Sequence, residues 1–215
     1  ESLNNNTGTI ALLSSGGING GSGTVLMRAA NYAFGGADRT ITTTGVLTIQ
    51  PDADENSFAS SFDNQYLNPV SVTGLTLGKS SNASAITLSR AISLSGPVSI
   101  YGGSIDVNAN ITANSGNILL DADTGSTLNQ SSTCILLDDA ITIETVTSGN
   151  LTLIGRSGDT GSGFDGIDAS SANTTTLRSA GNLTLQGYSY AASGSGRGVD
   201  LNNDVIAASG TVSMT

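Results

Sequence analysis

The chain has 215 residues, of which 11% are charged, with no His, no Trp and a net charge of −10. Residues that favour helices on a protein surface are nearly absent, since Lys occurs once and Glu three times, and this argues against a helical fold. The acidic balance and the lack of a long apolar run predict no nucleic-acid partner and no membrane insertion.

A short unit recurs along the chain: a glycine followed by a strand pattern in which apolar residues stand two positions apart. In chain order the units begin at Gly8, Gly23, Gly45, Gly74, Gly96, Gly116, Gly149, Gly181 and Gly210. The spacing from Gly74 to Gly96 suits one coil of a solenoid with two or three short strands, and the wider spacing from Gly116 to Gly149 indicates a coil that carries a loop. The narrow spacing after Gly8 indicates either a shortened coil or a different register there.

Two copies of the unit align closely. Residues 149–153 and residues 181–185 both read Gly-Asn-Leu-Thr-Leu. At the same offsets, Gly155, Gly166 and Asp168 follow the first copy, and Gly187, Gly198 and Asp200 follow the second. If coils stack, each Leu lies above its counterpart and the Thr between two Leu residues points to solvent, because side chains alternate along a strand. The Asn residues sit at the turn or form a ladder with their counterparts.

These patterns predict an all-β fold, a parallel β-helix of about nine coils that forms a single segment over residues 1–215. Parallel crossovers are nearly always right-handed, and this predicts a right-handed helix. Strand spacing predicts a rod of roughly 40 Å. A β-sandwich also uses many short strands, but it does not explain the recurring Gly-Asn-Leu-Thr-Leu.

Residues 52–69 depart from the repeat. They hold Phe58, Phe62, Tyr66 and Pro69 among acidic residues and Asn. We predict an aromatic and acidic insertion loop that either packs over the flank of the helix or forms an adhesive or subunit contact through its aromatic residues.

Acidic residues on presumed turns are the candidate metal ligands. Calcium takes six to eight oxygen ligands from carboxylates and carbonyls. Asp121 and Asp123 offer two ligands, and Asp159, Asp165 and Asp168 offer three. The alternative is that these are solvated turn carboxylates. No other cofactor is predicted.

Catalytic chemistry finds little support in the sequence. There is no His and a single Lys, so we predict that the chain is not an enzyme. A polysaccharide-active β-helix enzyme is the less favoured alternative, and it would depend on Asp165 or Asp168. The lone Cys134 precedes an apolar run and lies near acidic residues, which favours a small buried core residue over a reactive thiol.

The repeats resemble the passenger regions of filamentous-haemagglutinin-like proteins, giant bacterial surface adhesins exported by two-partner secretion. Residues 115–120, 148–153 and 180–185 and the stretch 85–107 carry the resemblance, which covers the range 70–215 well and the part before it loosely. It implies a right-handed β-helix, an extracellular or cell-surface location, and a role in adhesion or biofilm.

The function predicted from the sequence is therefore a structural or adhesive shaft segment of a longer extracellular bacterial protein. Its expected partners are a host or neighbouring cell surface, glycans, or other copies of itself. The alternative is a subunit that stacks end to end into an extracellular filament, since the strand at Val212–Met214 leaves an edge for pairing.

Overall fold

The computed structural model describes residues 8–13, 17–52, 55–123, 133–138, 140–157, 164–169, 173–190, 196–202 and 204–215. All the regular secondary structure in these residues is β, in strands of two to seven residues. The prediction of an all-β fold is confirmed.

The described strands follow one another along the whole chain. They are β1 (Thr9–Leu12), β2 (Ile18–Gly21), β3 (Val25–Arg28), β4 (Asn31–Phe34), β5 (Arg39–Thr43), β6 (Val46–Gln50), β7 (Phe62–Asp63), β8 (Leu67–Val70), β9 (Gly74–Leu77), β10 (Ile86–Leu88), β11 (Ile92–Leu94), β12 (Val98–Gly102), β13 (Ile105–Val107), β14 (Ile111–Ser115), β15 (Ile118–Ala122), β16 (Ile135–Leu137), β17 (Thr142–Ser148), β18 (Leu151–Ser157), β19 (Ile167–Ala169), β20 (Thr176–Ser179), β21 (Leu183–Ser189), β22 (Val199–Leu201), β23 (Val205–Ala208) and β24 (Val212–Met214).

Strands pair in parallel with the strand three positions later, so the chain returns to the same face after every third strand. Face A is one eight-stranded sheet that runs from β3 to β24. Face B runs from β1 to β22 and face C from β2 to β23, with no pairing between β4 and β7 or between β8 and β11. The described strands form eight successive sets of three, with one strand of each set on each face, in a parallel β-helix. Its right-handedness stays a prediction.

The core is built from apolar rows that run through the coils. The first inward row of face A places in register Val25, Leu47, Leu75, Val98, Ile118, Leu151, Leu183 and Val212. All of these except Val212 are buried, and they join rows from faces B and C in one hydrophobic cluster. A slip of one residue would turn a whole row to solvent, and this penalty holds the register.

The first repeat unit lies on a different face from the other eight. Its strand β1 pairs with β4, with Thr9 opposite Asn31, whereas the unit that begins at Gly23 forms β3 on face A. The narrow spacing after Gly8 is therefore a change of face, and the true coil partner of β1 is β4. For this reason the nine units correspond to fewer coils than the nine predicted.

Coil length varies at one corner. Between faces A and B the connection is as short as residues 103–104 and as long as residues 123–134. The connections from face C to face A stay short, as at residues 44–45 and 149–150. The wider spacings between repeat units therefore come mainly from coils with extra residues between their face A and face B strands.

Within the predicted insertion at 52–69, the residues from Phe62 onward are part of the coil. They supply β7 and β8, and Phe62 pairs in register with Ile86. Phe58 and Phe62 are each 4% exposed and stack on one another with ring centroids 5.6 Å apart. The ring of Tyr32 meets both rings edge-on at 5.6 and 5.7 Å. These aromatic rings fill the interior where β4 and β7 do not pair.

The packing of these rings bears on whether the aromatic residues of the 52–69 segment pack on the helix or form an adhesive or subunit contact. Phe58 and Phe62 are too deeply buried to meet a partner without opening the coil, so the structure favours the packing interpretation for them. Tyr66 is half-buried and keeps some surface.

The corner before face A carries stacked glycines and asparagines. Gly116 and Gly149 have φ angles of +120° and +111°, which side chains rarely tolerate. The backbone N–H of Asn150 donates to the side-chain oxygen of Asn117 at 2.9 Å, and the N–H of Asn182 donates to that of Asn150 at 2.9 Å. The predicted asparagine ladder is present, and it joins the neighbouring corners before β15, β18, β21 and β24.

Candidate functional site

A column of outward residues on face B carries most of the acidic character of that face. From one coil to the next it reads Asp63, Thr87, Asp106, Leu136, Asp168 and Asp200, all in register. Three carboxylates of this column thus recur at every second coil, and Asp200 follows Asp168 directly. With strands about 4.8 Å apart, the recurrence is roughly 10 Å along the rod.

A groove of about 410 Å³ lies between this column and the variable corner. Its lining includes Ser104, Asp106, Thr133, Leu136, Phe164 and Asp168. Leu136 is 42% exposed at the outward position of β16, between two buried residues of the same strand. The groove therefore has an apolar floor and a carboxylate on either side.

Three carboxylates come together at one end of the column. Oxygens of Asp165, Asp168 and Asp200 all lie within 4.8 Å of one another. Asp165 is buried and accepts a hydrogen bond from the backbone N–H of Arg197, whose guanidinium pairs with Asp200. Such a set supplies part of the six to eight oxygens that calcium takes.

The sequence prediction names two members of this set and misses Asp200. The sequence does contain a sign that Asp200 belongs to this set. When the two repeats are aligned, Asp200 occupies the position equivalent to Asp168. Asp168 and Asp200 are direct neighbours across β19 and β22. Their equivalence in sequence is therefore also a contact in space.

The other predicted ligands lie elsewhere. Asp121 stands on face A, where its carboxylate accepts a hydrogen bond from Arg156 at 3.0 Å. Asp123 follows at a positive φ of 62° and is buried. Among the described residues neither belongs to the group of three carboxylates. Asp159 lies outside the described residues.

Burial changes the pKa of four aspartates in the same direction. It raises the pKa of Asp106, Asp121, Asp165 and Asp204 above the ordinary value of 3.8, because a carboxylate loses hydration. Neighbouring carboxylates raise the pKa further at Asp106, Asp165 and Asp204. In contrast, the hydrogen bond from Arg90 lowers the pKa of Asp38, which is exposed.

This pattern predicts how stability depends on pH. A carboxyl whose pKa is raised on folding binds its proton more tightly in the folded state, so the free energy of unfolding rises as pH falls from neutrality toward 3.8. The opposite contribution of Asp38 is lost only below that value. Urea denaturation at a series of pH values measures the slope. The double variant Asp106→Asn, Asp165→Asn is expected to flatten it, and an unchanged slope in that variant would contradict the assignment.

Cys134 is a core residue, as predicted. It is fully buried, and its thiol donates to the carbonyl of Arg156 at 2.9 Å. Burial, and after it the charge of Asp123, raises the pKa of the thiol to about 12. A thiol that stays protonated at neutral pH is a poor nucleophile.

Comparisons with protein-family models, with curated proteins and with solved structures give no match to this chain. Among the described residues there is no helix long and apolar enough to cross a membrane.

Proposed function

We propose that this chain is a shaft segment of an extracellular bacterial surface protein, a stiff rod that holds other parts of the protein at a distance. The observation that carries the proposal is the unbroken sheet of face A, in which eight parallel strands stack in register over one continuous core. With seven strand spacings, this sheet is about 34 Å long.

Stiffness follows from how the coils are joined. Most coils bond to the next through parallel backbone ladders on three faces, and the asparagine ladder also joins the corners before β15, β18 and β21. Bending such a rod would stretch many of these hydrogen bonds at once and open the apolar rows beneath them. A rod that holds other parts of a protein at a distance needs this resistance to bending.

The extracellular location and the adhesive role rest on the resemblance of the repeats to filamentous-haemagglutinin-like passenger regions. The composition agrees with a shaft of that kind, since Thr and Ser line the outer row of face A. After Leu26 at its start, this row holds Thr48, Thr76, Ser99, Thr152, Thr184 and Ser213, with Leu119 between Ser99 and Thr152. Expected partners remain a cell surface, glycans or further copies of the chain.

A modular rod predicts that a whole coil can be removed. Deletion of residues 98–117 takes out β12, β13 and β14 and brings Ile118 opposite Leu75 in place of Val98. Spin labels at Leu26→Cys and Ser213→Cys, in a Cys134→Ser background, stand about 34 Å apart in the parent and about 29 Å apart in the deletion variant. Pulsed electron paramagnetic resonance measures both distances.

The matched control removes part of the same coil. Deletion of residues 98–107 takes out β12 and β13 only, so the next strands arrive on the wrong faces and the chain is expected to unfold. The proposal fails if both deletions are equally unstable, or if the label distance does not shorten after loss of a whole coil.

End-to-end stacking is the second candidate. Val205, Val212 and Met214 on the last described strands are 46%, 42% and 50% exposed, and a coil stacked on them would cover this apolar surface. Light scattering of the parent protein at rising concentration distinguishes the two candidates, because stacking gives growing oligomers and a shaft segment keeps one mass.

A further inference from the structure

We propose that the groove on face B binds a linear polyamine, with ammonium groups on Asp106 and Asp168 and the alkyl chain over Leu136. The groove lies beside the acidic column, so that the apolar side chain of Leu136 and the carboxylates of Asp106 and Asp168 line the same groove. This binding site is separate from the shaft role.

The spacing of the carboxylates suits a ligand with separated charges. Asp106 and Asp168 stand on either side of Leu136 in one column, two strand spacings apart, or roughly 10 Å. A single metal ion or a single ammonium group cannot contact both carboxylates across that distance. A chain with ammonium groups at a similar separation reaches both.

The floor of the groove favours an alkyl spacer. Leu136 is 42% exposed between the two carboxylates, and Phe164 lines the same groove. Methylene groups that lie over these side chains remove apolar surface from water, which favours binding. A strongly hydrated ion gains nothing from such a floor.

The charge around the groove selects a cation. Asp63 lies further along the column in one direction and Asp200 in the other, with Asp165 beside Asp168. The guanidinium of Arg197 pairs with Asp200 at the edge of this area. The negative field of these carboxylates repels anionic sugars and nucleotides and attracts polycations.

Isothermal titration calorimetry of the full chain with 1,7-diaminoheptane, which carries two ammonium groups on one uninterrupted alkyl chain, tests the proposal. Asp106→Asn and Asp168→Asn are each expected to weaken binding by about fivefold or more, the effect of one lost charge-assisted contact. Leu136→Ser is expected to weaken it as well. The matched control is Asp63→Asn, which removes the same charge from the same column outside the groove and is expected to change affinity by less than about twofold. Far-UV circular dichroism checks that each variant is folded.

Three results would overturn the inference. The first is an equal loss in Asp63→Asn and Asp106→Asn, which would show general attraction of counterions. The second is equal affinity for 1,7-diaminoheptane and n-heptylamine, which carries one charge on the same alkyl chain. The third is a preference for calcium over 1,7-diaminoheptane at equal concentration. Weaker binding confined to the groove variants supports the proposal.

Discussion

Replacement of Gly149 by alanine is expected to destabilise the fold by roughly 3 kcal/mol or more, through backbone strain and overlap acting together. Gly149 has a φ of +111°, a conformation that alanine rarely adopts. A Cβ at this position would also overlap the carbonyl oxygen of Gly116 in the preceding coil. That oxygen belongs to backbone fixed by the stacked coil, so it cannot move away cheaply.

The matched control for Gly149→Ala is Gly36→Ala. Gly36 is exposed, and an added Cβ would have no atom within 4 Å. This variant is expected to change stability by less than about 0.5 kcal/mol. Urea denaturation followed by circular dichroism compares the two variants. Similar midpoints for Gly149→Ala and Gly36→Ala would mean that the glycine stack does not hold the corner.

Leu151→Ala is expected to cost about 3 kcal/mol, within the range for large-to-small changes in a packed core. Leu151 is fully buried, with Ile118 on one side and Leu183 on the other in the same row. Because strands on all three faces enclose the row, the neighbours cannot collapse into the space that the leucine leaves. A cavity is therefore expected to remain.

Leu26→Ala makes the same chemical change on the outside of face A. Leu26 is 49% exposed, and its loss is expected to change stability by less than about 0.5 kcal/mol. The same denaturation experiment gives both values. A cost for Leu151→Ala no larger than that for Leu26→Ala would contradict the assignment of an inward row.

The carboxylates on face B are only partly predictable as a site from the sequence. The sequence marks Asp165 and Asp168 as candidate ligands but groups them with Asp159, because the three are close along the chain. The structure brings Asp200 to them instead, from the next coil. The column that joins Asp106 to Asp168 is likewise invisible in sequence, because connections of different lengths separate its members.

The sequence by itself determined the class of fold and the inward rows. Alternation of Leu and Thr at residues 151–153 and 183–185 indicates that one face of each strand is buried, and the recurrence of the same five residues indicates that the two strands stack in register. Gly149 and Asn150 likewise mark a tight corner from residue type alone, because a positive φ favours glycine.

The tertiary structure alone decided which face each strand occupies and what lies beside it. The unit at Gly8 forms a strand like the others, yet it lies on face B, since nothing local distinguishes one face of a three-sided coil from another. The sequence leaves open whether Phe58 and Phe62 pack on the helix or form a contact, and in the structure Tyr32 from the preceding coil packs against them. Contacts of this kind join residues a whole coil apart, and loop length, rather than local sequence preference, sets which residues meet.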